Sequence, residues 1–518
     1  LVSRRRNWRL AGGLVLLVWA LVLAWHVRRE YYRPTTARLA EASANLIPNA
    51  AFYSVKLGGS PIGYAASRID TVPGGFIIDD DLRLHVAAFG SDVPATARTE
   101  IRLNEMLGLQ DFSFALRSDF GSFRVVGAMQ GDTLLNLQIA AGDDEQTLAL
   151  PTEGPILLPQ VMPVHFALSG EPEAGEVYSF EVFDPSIMER QRVDIELLSR
   201  ETLVVPDSAD YDAEADRWVP ARYDTIETWH VQQSFGGVEL ESWLDPDGMV
   251  VRATSPLGYS IERTAFEIAW NEYRALEGLG ASAEVGAPDI IERSAIAVGT
   301  SLPRGDRLTG LTVRLRNVDL RGFDLDGASQ ELRGDTLVVV SAAPRQAVGY
   351  ELPADASEWS EELQATPLIQ ADDPEIRRVA AEVVGDTKDP GVAAARLNQW
   401  VYRSLEKEIT LSVPSARQVL EAGRGDCNEH TVLYVALARA VGLPARPVAG
   451  LVYVNDRFYY HAWPEVWLGG WVALDPTLDQ FPADASHLRF VVGGLARQVE
   501  LVRLIGQLEL DVVEVAER

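Results

Sequence analysis

Apolar and polar positions follow three rhythms along the chain, and each predicts a different kind of element. Through residues 51–290 short runs alternate at period two, among them FYSVKL, GFIIDD, LRLHVAAF, FRVVGAM, TLLNLQIAA and GMVVRAT, with turn residues between them. Such alternation predicts strands of a large, mostly antiparallel sheet, curved or doubled into a sandwich. Asp245-Pro246-Asp247-Gly248, between ELESWL and MVVRAT, is a hairpin signal. Ser60-Pro61-Ile62-Gly63-Tyr64 and Ser255-Pro256-Leu257-Gly258-Tyr259 look alike at opposite ends of the region. No longer period accompanies them, so they read as two similar turns and not as a repeat.

A second β pattern, TGLTVRLRNV and DTLVVVSAA, predicts a small β domain and linker over 291–370. From residue 371 the period lengthens. PEIRRVAAEVV and AARLNQWVYRSL space apolar residues three and four apart, as amphipathic helices do, and open an α+β domain over 371–497. Residues 498–518 are left as a C-terminal extension. Inside the α+β domain, a helix from Cys427 to Val441 carries Leu433, Ala436, Leu437 and Ala440 on one face, and Gly442 and Pro444 end it. ARPVAGLVYV and RFYYHAWPEVWL then meet at Asn455-Asp456, a two-residue turn, and Leu468, Gly469 and Gly470 lead into WVALDPT. Three antiparallel strands are expected after one helix.

The other end of the chain changes the picture. Residues 10–27 are apolar apart from Gly12, Gly13 and His26. As a helix they would span about 27 Å, enough for one bilayer crossing. Arg4, Arg5, Arg6 and Arg9 precede this stretch against Arg28 and Arg29 after it, which favours a cytoplasmic tail at 1–9. A cleaved signal peptide is the competing reading, with Ala42-Ser43-Ala44 as its small-residue site, but that site lies far downstream of the apolar run. The expectation is a single-pass protein of the inner membrane, a polar connector at 28–50, and an exported body on the periplasmic or extracellular side.

The formal net charge of −29 argues against a nucleic-acid partner. Lys56, Lys388 and Lys407 are the only lysines, so the chain is a poor target for its own isopeptide cross-linking. The acidic stretch at 207–216 has Ala215 where an EF-hand loop requires glycine, and reads as a solvated loop. No metal site emerges, because there is one cysteine and His26, His85, His165, His230 and His487 are scattered.

That one cysteine, Cys427, stands at a helix start after a glycine turn, in Gly425-Asp426-Cys427-Asn428-Glu429-His430. A helix amino terminus and a neighbouring imidazolium both stabilise a thiolate, and backbone N–H groups there can receive an oxyanion. His461 and Asp475 follow in the order a thiol nucleophile, a base and an orienting carboxylate require. His430, three residues after Cys427, is a rival base, with a structural or pocket-lining role as the alternative. Trp463, Trp467 and Trp471 are read as core or cleft wall. Register constrains the triad further. A two-residue turn at Gly469-Gly470 would send Asp475 to the face opposite His461, whereas a three-residue loop at 468–470 would bring both to one face. An odd loop or a bulge is therefore predicted.

GDCNEHTVLYVALARAVGLPARPVAGL, YYHAWPEVWLGGWVALDPT and SARQVLEAGRGDC resemble, respectively, the nucleophile block, the histidine and aspartate blocks, and the approach to the cysteine of the transglutaminase-like superfamily. The resemblance covers about a quarter of the chain. It implies a papain-like core in which Cys427 is the nucleophile, His461 the general base and then acid, and Asp475 the group that orients the imidazole, with no cofactor. It also implies cysteine-dependent acyl transfer at an amide of a peptide or protein substrate, by a peptidase, amidase or transglutaminase. Family enzymes add an upstream side chain at the oxyanion, for which Trp400 and Gln418 are candidates. The alternative is an inactive scaffold whose β-rich region binds an envelope partner.

Overall fold

The computed structural model describes Leu39, Ser43 and residues 46–518, apart from 89–90, 143, 153, 171, 280–288, 304–306, 328 and 342–348. The expected spanning helix at 10–27 lies outside the described residues. Among those described, no helix is long and apolar enough to cross a membrane.

The alternating runs become one antiparallel sheet of fourteen strands, from Asn49–Leu57 to Tyr259–Thr264. The first eight strands follow one another in order, as do the last six, and the first and last strands of the region join the two halves with Val55 opposite Ile261. This pairing accounts for the look-alike turns. They lie side by side, Gly58 N–H donates to the Gly258 carbonyl at 2.9 Å, and the Arg293 guanidinium packs against both glycines.

The edge strands of the sheet, Asp144–Pro151 and Val177–Asp184, are consecutive strands of the chain, with the helix Met162–Leu168 between them. Met162, Val164 and Phe166 are buried among Phe112, Phe123, Leu135, Phe183 and Val231, which come from strands far apart in the sheet. The sheet therefore curls around this helix, which supplies the apolar filling that a second sheet would give a sandwich. Leu39 and Leu46 are buried in the same core, and Ser43 Oγ donates to the Glu105 carbonyl at 2.7 Å. The described part of the expected connector is thus docked on the sheet. The acidic stretch at 207–216 forms the exposed end of the hairpin between Glu189–Asp212 and Arg217–Phe235.

In the C-terminal half the helices Pro374–Val384, Pro390–Ser404 and Ala416–Ala422 surround Cys427–Ala440, whose Leu433 to Leu437 are wholly buried. Ala445–Val454 is central in the adjoining sheet, flanked by Arg457–Trp467 and Leu488–Val492. Asn455 and Asp456 both adopt left-handed backbone, which makes the two-residue turn that pairs Val454 with Arg457.

The residues 498–518, expected as an extension, are corrected by the structure. Glu509–Glu517 pairs with Leu308–Arg316 and so completes a four-stranded sheet with Gln330–Arg333 and Thr336–Val340. Leu311, Val313, Leu337 and Leu510 of this sheet share a core with Leu451, Phe458, Leu488 and Phe490. Sequence pattern alone missed the pairing because its partners lie some two hundred residues apart. The front sheet is also tied to the helices. Phe120 is buried among them, and Arg424 Nη2 donates to the Asp119 carbonyl at 2.7 Å.

Candidate active site

Asp426 caps the helix that carries Cys427. Its side chain accepts from the Asn428 N–H at 2.8 Å, while Glu429 Oε2 accepts from the Asp426 N–H at 2.9 Å. This reciprocal capping box fixes Cys427 as the first helical residue. Because the cap takes the second- and third-residue N–H groups, the Cys427 N–H is the first-turn donor it leaves unused. Glu429 is buried, and its Oε1 accepts from Thr410 Oγ1 at 2.7 Å and Ser412 Oγ at 2.6 Å, which anchors the loop over the helix start.

His461 stands on the strand Arg457–Trp467, opposite Gly450. A side chain at position 450 would run into the Leu488 carbonyl, so glycine there lets the neighbouring strand approach closely. The next strand, Trp471–Ala473, pairs Trp467 with Trp471 and leaves a three-residue loop with Gly469 at φ +74°. The chain then leaves the ladder at Asp475, whose Oδ1 accepts from the N–H groups of Thr477 at 2.7 Å and Leu478 at 3.0 Å. This turn aims Oδ2 at His461 Nε2, 2.8 Å away. An ionised carboxylate only accepts, so Nε2 carries the proton and Nδ1 is the ring atom with a free lone pair.

Cys427 packs against the core behind the sheet, and the Ala462 backbone hydrogen-bonds to its thiol. Sulfur therefore lies beside the residue that follows His461. Its electrostatics differ from the expected thiolate. Burial first, and then the charge of Asp426, push the thiol well above its ordinary pKa, with the Ala462 hydrogen bond acting in the other direction. Asp426 is itself raised well above the carboxylate range by burial and by Glu429. At rest the sulfur is protonated.

A further residue joins this group that sequence reasoning had set aside. His487, counted among the scattered histidines, is buried with Nε2 3.1 Å from Asp475 Oδ2 and Nδ1 3.3 Å from Asp484 Oδ1. Asp475 thus receives both His461 and His487 on one oxygen. Burial alone would raise its pKa, but the charge and hydrogen bond of His461, followed by those of His487, outweigh it and hold the carboxyl far below the usual range. Burial would lower the pKa of His487, but its hydrogen bonds to Asp475 and Asp484 raise it to about 9. The donor atoms of His461, Asp475 and His487 lie within 4.8 Å of one another, close enough in principle to share a cation. Both rings instead address the carboxylate as N–H donors, which places protons where a cation would have to sit. Only the motif Asp484-Ala485-Ser486-His487 gave a signal, that of an aspartate turn, and nothing in it tells which face the imidazole joins.

The other candidates are placed elsewhere. His430 is buried, its Nδ1 2.7 Å from the Asp426 carbonyl oxygen, and burial lowers its pKa. Gln418 points its amide at Gly121 of the front sheet, and Trp400 packs into the helical core. Trp463 is buried between His461 and His487, whereas Trp467 and Trp471 cluster with Trp359.

Residues 377–476 match the family described as the transglutaminase-like superfamily, so the C-terminal part of the chain carries a transglutaminase-like domain. Two curated proteins, both uncharacterized, align with the chain. One from Haemophilus influenzae is 28% identical over 96 residues, 18% of this chain and 26% of that protein. One from Mycobacterium leprae is 27% identical over 180 residues, 30% of this chain and 62% of that protein. The chain thus spans less than two thirds of either relative. Among solved structures, a protein of Cytophaga hutchinsonii provisionally named a cysteine protease shows 17% identity and a TM-score of 0.27, over 41% of this chain and 86% of its own. A beta-barrel-like protein of Brucella abortus, with a domain of unknown function, shows 16% identity and a TM-score of 0.31, over 42% of this chain and 94% of its own.

Proposed function

We propose that the protein is a cysteine-dependent acyl-transfer enzyme that acts at amide bonds of a peptide or protein. The observation that carries this is the 2.8 Å contact between His461 Nε2 and Asp475 Oδ2, beside a cysteine at the start of a buried helix. Cys427 sulfur attacks the amide carbonyl while His461 Nδ1 takes the thiol proton. The oxyanion is met by the Cys427 N–H. Collapse expels the amine, to which His461 returns the proton, and a thioester remains on Cys427. Water or a second amine then attacks the thioester, gives its proton to His461, and releases the acid or the new amide as the thiol is restored. Because the free thiol rests protonated, the transfer to His461 belongs to the attack step and does not precede substrate. The apolar stretch at 10–27 supports an anchored enzyme of the inner membrane with this domain outside the cytoplasm.

A second reading, an inactive scaffold that binds an envelope partner, is favoured by the same elevated thiol pKa. Alkylation of Cys427 by iodoacetamide, read by mass spectrometry across a pH series, separates the two. The enzyme labels faster than its His461→Ala variant, because His461 takes the thiol proton as sulfur attacks; the scaffold labels slowly and equally in both. A screen of peptide and glutamine-amine substrates then decides between hydrolysis and transamidation.

A further inference from the structure

We infer that His487 is a positioning residue of this site, a buried imidazolium that shares the Asp475 carboxylate with His461 and holds that carboxylate in place against the His461 ring. The inference deepens the acyl-transfer reading and rests on it for its functional meaning. Its structural basis is independent of any substrate.

The ring of His487 is clamped between two carboxylates. Nε2 meets Asp475 Oδ2 at 3.1 Å, and Nδ1 meets Asp484 Oδ1 at 3.3 Å. Two acceptor-only partners require two donors, and an imidazole has two N–H groups only when it is protonated. Asp484 is held in turn. Its oxygens accept from the Ser486 N–H at 2.8 Å, Ser486 Oγ at 2.6 Å and Gln480 Nε2 at 3.0 Å. Trp463 closes the remaining side edge-on, with ring centres 5.1 Å apart. His487 is 3% exposed and Asp475 is fully buried, so solvent screens little of the charge.

Asp475 would ordinarily place one full negative charge behind His461. Here that charge is shared with the His487 imidazolium, whose ring centre lies 6.1 Å from that of His461. Asp475 Oδ2 is thereby held by two rings, so the carboxylate cannot turn away from His461 without also breaking a charged contact. The charged and titratable groups that bear on the pair are Asp475 and Asp484, and, from the cysteine helix, Cys427 and His430, which both sense Asp475. The consequence is a chain of fixed contacts, in which His487 fixes Asp475 and Asp475 fixes the orientation of His461.

The test is histidine titration and N–H exchange by nitrogen-15 NMR in the full chain. In the unaltered protein both ring nitrogens of His487 are expected to remain protonated at pH 7.5. In His487→Gln, which keeps a donor to Asp475 without the charge, the His461 Nε2–H held by Asp475 is expected to exchange with water about tenfold faster. His487→Lys, which restores a cation, is expected to slow it again. A His487 that is neutral at pH 7.5, or a His461 N–H exchange rate that is unchanged in a folded His487→Gln, overturns the inference. The first result needs no variant and so stands even if the substitutions do not fold. Failure of the acyl-transfer reading looks different, because Cys427 labelling would then ignore His461→Ala while the His461 N–H exchange still quickened in His487→Gln.

Discussion

Trp467 and Trp471 face each other across neighbouring strands, and the three residues between them decide which face of the sheet Asp475 shares. Leu468 N–H closes the loop on the Gly470 carbonyl at 2.9 Å, and Gly469 supplies the left-handed residue. Since side chains alternate, a loop shorter by one residue turns the following strand over. Deletion of Gly470 is therefore expected to separate Asp475 from His461, with circular dichroism to check that the helices, whose core Leu468 shares, stay folded. Iodoacetamide labelling of Cys427 should slow to the rate of His461→Ala, and amide turnover should fall by about 100-fold or more. Labelling that matches the parent protein in the folded deletion would show that register does not assemble the pair.

Stability should carry the signature of the two imidazoles on one carboxylate. An unfolded histidine titrates near 6.5, and His487 is raised to about 9. Its contribution is thus complete below about pH 6.5 and lost as pH climbs toward 9, worth up to about 3 kcal/mol. Asp475 behaves in the opposite way. Its depressed pKa contributes stability above about pH 4, which is lost as pH falls further. Urea midpoints measured from pH 5 to 9 should decline on the alkaline side, and His487→Gln should flatten that decline. Parallel curves for the two proteins would place the charge elsewhere.

How much of this was legible in the sequence depends on the distance over which a residue finds its partner. The cysteine helix, its glycine stop, the Asn455-Asp456 turn and the odd loop at 468–470 rest on neighbours in the chain, and the residues sufficed to predict them. Glu509–Glu517 beside Leu308–Arg316, and His487 beside Asp475, depend on how separate segments pack. Period and propensity do not encode such meetings. The curled front sheet is an intermediate case. Its strands were evident from alternation, but the helix Met162–Leu168 that fills it has only seven residues, too short to show a helical period. The expected thiolate is opposed for a related reason, since burial and the capping carboxylate push the thiol up and neither can be weighed before the fold is known.

His430 should prove structural. Its Nδ1 is committed to the Asp426 carbonyl, and its buried Nε2 has no hydrogen-bond partner among the described residues. His430→Ala opens a cavity beneath the cap and is expected to cost about 2 kcal/mol or more. The rate of Cys427 labelling should nonetheless stay that of the parent protein. A folded His430→Ala that labels as slowly as His461→Ala would make His430 the base.

Gln418 should be dispensable for chemistry. Its amide nitrogen lies so close to Gly121 that a side chain there would collide with it, which makes Gln418 part of the seam between the front sheet and the helices. Gln418→Ala is expected to leave kcat within about twofold and to lower stability by about 1 kcal/mol. An oxyanion donor behaves differently, since its removal costs about 100-fold or more in kcat. A loss of that size in folded protein would return Gln418 to the active site.

Thr431 offers the most direct probe of where a substrate could extend. With Asn428 it lines a cavity of about 440 Å³ between the cysteine helix and the hairpin residues Ile187 to Glu189. Its Oγ1 is buried without a hydrogen-bond partner among the described residues. An unpartnered buried hydroxyl is unfavourable, so Thr431→Val, which keeps the shape, should be neutral or stabilising by up to about 1 kcal/mol. If part of the acyl substrate enters this cavity and uses the hydroxyl, the same variant raises KM and leaves kcat. A variant that is clearly less stable would show that a bound water satisfies Thr431, and a variant with unchanged KM would place the substrate on the other side of the helix.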